Sequence, residues 1–404
     1  MPNRSTRRRF VHTGAALPGL AAWPAMAARK EPTSSAAAVY TRLGVRPVIN
    51  AIGTVTVLGG SVMPPEVVRA MDEASKFYVN VPELQEKVGA RLAEVIGVPG
   101  AVVTAGAASA ITIATAACLT RGDREKVYRL PDTSDMPNEV IQPKAHVSGY
   151  ETQILLTGAK IVRVETPEEM ERAINARTVM MFYVNKNERG GAISRQDFLR
   201  VGMAHNVPTF NDAAADVPPA SRLSSIVKEG FDLVAFSGGK GLCGPQSSGL
   251  LLGRKDLTEA GRMCISPQGG IGRGMKVSKE EMIGLLAAVE RYLKLDHEAE
   301  MRVLEARIEH ILAAVSKVSG IKAERFMPHI ANEVPHISLQ WEEGERKLKA
   351  RDVVKQLLEG EPAIAVSGGN GRINVSVWKM QRNEHRSVAR RLVEVFKTES
   401  ATET

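Results

Sequence analysis

Leu233-Val234-Ala235-Phe236-Ser237-Gly238-Gly239-Lys240-Gly241-Leu242-Cys243-Gly244-Pro245-Gln246 decides how the rest of this 404-residue chain is read. An apolar run of this length, bounded by glycines, predicts a buried strand. The glycines that follow let a flat molecule approach the backbone. A lysine in such a loop can be held as a partly desolvated amine, with a lowered pKa and ready to form a Schiff base. Taken alone, a lysine after glycines is ordinarily a solvated loop residue, so the neighbouring stretches must decide.

Upstream lies Phe210-Asn211-Asp212-Ala213-Ala214-Ala215-Asp216-Val217-Pro218-Pro219. An aspartate closing a short strand sits at the carboxyl edge of a parallel sheet, where α/β proteins place their ligands. Asp212 could pair there with a protonated ring nitrogen, or it could simply cap a turn. Further upstream is Thr104-Ala105-Gly106-Ala107-Ala108-Ser109-Ala110, where the strand Val102-Val103-Thr104 meets a helix over Ala108–Leu119. Free N–H groups at a helix start, without side-chain bulk, make an anion cradle, although small residues also ease helix–sheet packing. The order of the three stretches changes the reading. A cradle, an aspartate and then Ser-Gly-Gly-Lys give partners to the phosphate, the ring nitrogen and the aldehyde carbon of pyridoxal phosphate. Ser237 could also reach the phosphate.

From Val45 onward, β-branched runs alternate with helical patterns. Strands are expected at Lys126–Leu130, Lys160–Val164, Thr178–Val184, Pro208–Asn211 and Leu233–Ser237, with helices such as Pro167–Ile174 and Arg195–His205 between them. That alternation predicts an α/β fold with a mostly parallel central sheet covered on both faces. Glu280 to about Val315 reads as one long connecting helix. Strands at Ile321–Phe326, Pro335–Trp341 and Arg372–Val377, with helices at Lys349–Leu358 and Glu384–Phe396, then predict a small α+β domain. The expected division is an export signal over 1–28, an N-terminal arm over 29–62, a large α/β domain over 63–280, and the connecting helix with the small domain over 281–404.

The chain resembles the selenocysteine synthase-like group of fold-type I pyridoxal phosphate enzymes, which includes L-seryl-tRNA(Sec) selenium transferase and D-glucosaminate-6-phosphate ammonia-lyase. The matching stretches are Pro47–Thr54, the Thr104–Ala110 cradle, Ile141-Gln142 through His146, Asp212-Ala213-Ala214, Ser237–Gln246 with Gly249-Leu250-Leu251, and Gly272–Val277. The resemblance implies that Lys240 is the Schiff-base lysine and proton shuttle, and that Asp212 keeps the pyridine nitrogen protonated. It implies that Gly106, Ala107, Ala108 and Ser237 bind the phosphate. His146 falls near the cofactor ring, where it would stack on the ring face or else cap a helix at the surface. Asn50, Thr54 and Gln246 become candidate substrate contacts. Arg273 and Lys276 would meet an acidic substrate group, from a neighbouring subunit, or else simply belong to a solvated face. Arg372 would clamp a substrate carboxylate or stand as an ordinary strand arginine.

Composition narrows the function further. Aromatics make up only 4% of the chain, which gives no platform for stacking nucleic-acid bases. The net charge is +8, yet Arg4, Arg7, Arg8 and Arg9 supply four of those charges and no acidic residue precedes Glu31. The basic head is followed by a small, mildly apolar run over Gly14–Ala22 and an Ala25-Met26-Ala27 cleavage site, which resembles a twin-arginine export signal. That predicts a periplasmic or secreted protein, with a cytoplasmic one as the alternative, and no membrane span. Cys118, Cys243 and Cys264 lack the spacing for a metal site or a disulfide framework. Cys243 reads as a small buried hydrophobe with no cation beside it except Lys240. Cys264 is the one candidate for desulfurase chemistry.

The expected reaction is a lyase step. Lys240 takes the Cα proton, and a water or ammonia leaving group departs from a hydroxylated or phosphorylated amino acid or amino sugar acid through an aminoacrylate-type intermediate. Selenium transfer to seryl-tRNA and class V transamination are the enzymatic alternatives, and a periplasmic pyridoxal phosphate or ligand-binding protein is the non-enzymatic one. Export and the missing basic arm argue against tRNA. Fold-type I resemblance further implies a homodimer or larger homo-oligomer.

Overall fold

The computed structural model describes residues 37–346, 348–369 and 371–398. The expected export segment lies outside the described residues. The part before Val48 is a unit of its own, with one helical turn at Ala38–Thr41. The body starts at Val48.

Eight strands precede the C-terminal part: β1 (Ile49–Asn50), β2 (Gly100–Thr104), β3 (Glu139–Pro143), β4 (Lys160–Val164), β5 (Thr178–Val184), β6 (Thr209–Asp212), β7 (Leu233–Ser237) and β8 (Gly249–Gly253). Seven of them form one sheet in the order β2-β8-β7-β6-β5-β3-β4. The pairs from β7 through β6, β5 and β3 to β4 are parallel, and β8 alone runs against its neighbours. Side chains alternate across this sheet as strand geometry requires. Val103, Met181 and Tyr183 enter one core, while Val102, Met180 and Phe182 enter the other. With both faces covered, the strands read as continuous apolar runs, and that continuity made most of them visible in the sequence.

The helix Ala107–Thr120 shows how completely one layer is buried. Every residue but Ala108 is shielded from solvent, so the helix has almost no polar face. Ile111 and Ile113 each contribute roughly 1.5–3 kcal/mol by leaving water. Its N-terminus therefore has little freedom to shift, and the cradle is built on that end.

Two sequence expectations are corrected here. Lys126–Leu130 is not a strand: Arg124–Arg129 is helical, because the Asp123 side chain accepts the N–H groups of Glu125 and Lys126 and nucleates a turn that outweighs one β-branched Val127. The long helix after Glu280 is two helices, Lys279–Lys294 and His297–Val315. Ser278 closes a capping box with Glu281 at the start of the first, and Asp296 caps the second by accepting from the Ala299 N–H.

The C-terminal part holds β9 (Lys322–Phe326), β10 (His336–Gln340), β11 (Ile364–Ala365), β12 (Ser367–Gly369) and β13 (Arg372–Ser376). Four of these make an antiparallel sheet in the order β12-β13-β10-β9. β11 instead pairs in parallel with β1, bringing Ile49 opposite Ile364. Ile49 and Ala51 consequently sit in the same core as Leu304, Ile337, Val375 and Phe396.

Candidate active site

Three strand ends converge because of β8. Gly249, its first residue, is opposite Thr104 of β2 on one side and Ser237 of β7 on the other. The cradle and the lysine loop thus lie on either side of one glycine. A Cβ at Gly249 would stand 2.5 Å from the Gly106 carbonyl carbon and 2.9 Å from the Ala107 nitrogen, so only glycine permits this approach. Gly106 has φ +112°, a backbone state that suits glycine, and it turns the chain from β2 into the helix.

A cavity of about 420 Å³ opens at this point, lined among others by Gly106, Ala107, Ala108, Asp212, Ser237, Lys240 and Gln246. The three motifs of the sequence are brought together in it. Asp212 is 8% exposed and its Oδ1 accepts the Ala214 N–H at 3.1 Å. Burial raises its carboxyl pKa to about 6, against the pull of that N–H and of the Lys240 charge. Burial also lowers the Lys240 pKa, which Asp212 and Asp216 partly counter. A buried acid held near neutrality beside a lysine with a lowered pKa marks a site built for proton traffic.

The other expected residues fall elsewhere. His146 follows β3 in the short turn Lys144–His146 and is fully buried. The Val184 N–H donates to its Nδ1 at 3.1 Å, and its ring stands edge-on to Tyr183 with centroids 4.2 Å apart. Burial lowers its pKa to about 4, so the imidazole is neutral, and its Nε2 has no partner among the described residues. Asn50 spends its polar atoms in its own turn, accepting from Ile52 and Gly53 and donating to the Gly53 carbonyl. Thr54 donates to Asn332 at 2.7 Å. Arg273 and Lys276 are exposed on the loop whose Met275 touches Ser109 of the cradle helix. Arg372 lines a separate depression with Gln340 and Trp341.

Two further corrections concern thiols. Cys243 is half-exposed, and Lys379 donates to its Sγ at 3.1 Å, so it is neither a sealed hydrophobe nor without a second cation. That lysine is 136 positions away, beyond the reach of local sequence reading. Cys264 is fully buried with its thiol pKa pushed up to about 11 by burial, a poor setting for desulfurase chemistry.

Sequence reading missed Asp216 and Lys186. Asp216 is 2% exposed, its Oδ2 accepts from Asn185 at 2.8 Å, and its Oδ1 has no partner among the described residues. It follows Asp212 by four residues in the same stretch at the sheet edge, and that proximity was the available signal. Lys186 reaches the same cavity from the end of β5, and nothing local marks it.

Comparison with known proteins gives this geometry a lineage. The family model described as L-seryl-tRNA selenium transferase matches residues 167–348. D-glucosaminate-6-phosphate ammonia lyase of Salmonella typhimurium is 35% identical over 337 residues, covering 81% of this chain and 88% of that protein. The chain belongs to the selenocysteine synthase-like family. A solved structure of D-glucosaminate-6-phosphate ammonia-lyase superposes with a TM-score of 0.78 at 32% identity, covering 90% of this chain and 99% of that one. A 5'-C-glycyluridine monooxygenase-decarboxylase from a Streptomyces species is 32% identical, over 90% of this chain and 93% of its own length.

Members of this family use pyridoxal phosphate in the fold-type I architecture, and this family member is an enzyme of the same kind. Its own residues fit the cofactor. The cradle presents helix N–H groups without bulk at Gly106 and Ala107, and the buried Asp212 carboxyl and the Lys240 amine face the same cavity. Among the described residues no group of three His, Cys, Asp or Glu side chains is placed to hold a metal ion, and no helix is long and apolar enough to cross a membrane.

Proposed function

We propose that this family member is a lyase acting on a small hydroxylated or phosphorylated amino acid or amino sugar acid, from which it eliminates water or ammonia. The observation that carries the reading is the convergence of Lys240, Asp212 and the Gly106–Ala108 cradle on one cavity. Pyridoxal phosphate, when bound, supplies an aldehyde for an amine and a ring that withdraws electrons from Cα. The cradle N–H groups would hold the phosphate at the positive helix end. Asp212, its carboxyl pKa raised to about 6 by burial, would face the ring nitrogen and favour a proton there. Lys240, whose lowered pKa leaves more free amine, takes the substrate Cα proton on Nζ and returns it to the leaving group. Lys186 supplies a cation at the cavity for a carboxylate or phosphate of the substrate.

The test is a panel of D- and L-serine, threonine and glucosaminate derivatives, assayed for ammonia and keto acid. Release of both from at least one member is expected. No turnover across the panel, together with selenium transfer to seryl-tRNA, overturns the reading. The similarity to the Streptomyces monooxygenase-decarboxylase supports a second reading, oxidative loss of a carboxyl group. Oxygen uptake with release of carbon dioxide, in place of ammonia, would select it.

Two further elements belong to this proposal. The protein is a homodimer or larger homo-oligomer, supported by exposed apolar residues around the α/β body. Val57 and Val62 are 86% and 68% exposed, and the adjacent Phe77 and Tyr78 are 64% and fully exposed. Sedimentation showing only monomer at micromolar concentration would remove it. The protein is exported folded through its arginine-led N-terminus, and N-terminal sequencing of periplasmic material starting after Ala27 is the expected result.

A further inference from the structure

A second cavity, of about 680 Å³, is lined in part by the lysine loop. Gly241 and Cys243 of that loop line it, together with Tyr292 from the helix Lys279–Lys294 and Trp378 and Lys379 from the segment after β13. Three independent features meet there. Cys243 is held in the left-handed region at φ +57°, unusual for a side chain with a Cβ, so its thiol is turned by a strained backbone. Lys379 donates to Cys243 Sγ at 3.1 Å while its Nζ stands 3.9 Å above the Trp378 ring centre. Tyr292 is 5% exposed on the cavity wall, and its hydroxyl has no hydrogen-bond partner among the described residues. The arrangement is thus a thiol and an amine in contact at the wall of a cavity that the proposed reaction does not use.

We propose that Cys243 and Lys379 are an oxidisable pair, and that hydrogen peroxide entering this cavity joins them through a sulfur–nitrogen bond. The Cys243 thiolate attacks one peroxide oxygen: the S–O bond forms, the O–O bond breaks and hydroxide leaves. That hydroxide takes a proton from the Lys379 ammonium. The amine then displaces the oxygen from sulfur, so the S–N bond forms, the S–O bond breaks and water departs. One peroxide, one thiolate and one ammonium become the S–N link and two waters; sulfur is oxidised and peroxide reduced. A sulfenic acid condenses with nitrogen in this way, and excess thiol reverses it by forming a disulfide. The link ties the loop that carries Lys240 to the segment that carries Trp378, which already packs against Gly241. It would fix the position of the Schiff-base lysine from behind. The inference stands independently of the lyase reading.

The full-length protein is treated with an equimolar amount of hydrogen peroxide, digested without reductant and analysed by mass spectrometry. The expected product is a joined peptide containing Cys243 and Lys379, lighter by two hydrogens than its parts and lost on incubation with thiol. Lys379→Arg keeps the cation but removes the nucleophile, so it should yield no joined peptide and instead a Cys243 sulfenic acid trapped by dimedone. Cys118 and Cys264, both buried, serve as internal references and should stay reduced. If Cys243 stays reduced while peroxide is present, or passes to sulfinic acid without the joined peptide in the unsubstituted chain, the proposal is overturned.

Discussion

Replacing Gly249 by alanine tests whether the cradle and the lysine loop depend on one contact. The added methyl would lie 2.5 Å from the Gly106 carbonyl carbon, 2.8 Å from its Cα and 2.9 Å from the Ala107 nitrogen. All three are backbone atoms, so no side chain can swing aside. The start of the helix Ala107–Thr120 must move instead, and that helix is buried on nearly every side. Overpacking of this kind costs about 1–3 kcal/mol of stability, which should appear as a shift in urea midpoint of the cofactor-free protein. The larger effect is on the cofactor. A charge-assisted hydrogen bond from a cradle N–H contributes about 1.5–3 kcal/mol, so displacing one should weaken pyridoxal phosphate binding roughly 10- to 100-fold. Fluorescence or absorbance titration of the apo-protein with the cofactor reads this directly. Gly274→Ala, where the methyl meets nothing within 4 Å, is the control and should change neither quantity. Wild-type cofactor affinity in Gly249→Ala would refute the idea that this approach builds the phosphate site.

Other expectations concern charge. The Asp212 carboxyl, raised from 3.8 to about 6, favours the fold below pH 4 and loses that contribution as pH climbs through 6. Cofactor-free Asp212→Asn should therefore gain stability over wild type between pH 4 and 7, by on the order of 2–3 kcal/mol; equal urea midpoint differences at pH 4 and pH 8 would contradict this. Loading with pyridoxal phosphate should stabilise the wild type more than the variant. His146, lowered to about 4, contributes stability that is present above pH 6.5 and fades as pH falls towards 4. Its ring resonances should still report a neutral imidazole at pH 5. Lys186→Ala should raise KM about tenfold for an anionic substrate, as expected for one lost charged contact, while the protein still binds the cofactor.

Which parts were legible in the sequence follows from where the information lies. Thr178–Val184 and Leu233–Ser237 are mostly apolar runs and Lys160–Val164 is a β-branched one at the sheet edge, and the structure reproduces all three boundaries. Asp212, Lys240 and the cradle were readable because each sits at a strand end, so a local motif carries its position. β8 was not placed as a strand: Leu250-Leu251-Leu252 between two glycines carries no β-branched residue and no period, although it is the element that brings the motifs together. β12 is Ser-Gly-Gly, with no side-chain pattern to read at all. Lys186, Asp216 and the Cys243–Lys379 contact are properties of folded neighbours. A sequence window holds neither their distances nor the burial that sets their charge.

The parallel pairing of Ile49 with Ile364 has a consequence for how the chain is made. The partners are separated by roughly three hundred residues, so the opening strand of the body has nowhere to dock until almost the entire polypeptide has left the ribosome. Loss of the last helix would therefore be felt at the first strand of the body, far away in the chain but in the same core. The pairing closes late, sealing the first strand of the body and the C-terminal part in one hydrophobic seam.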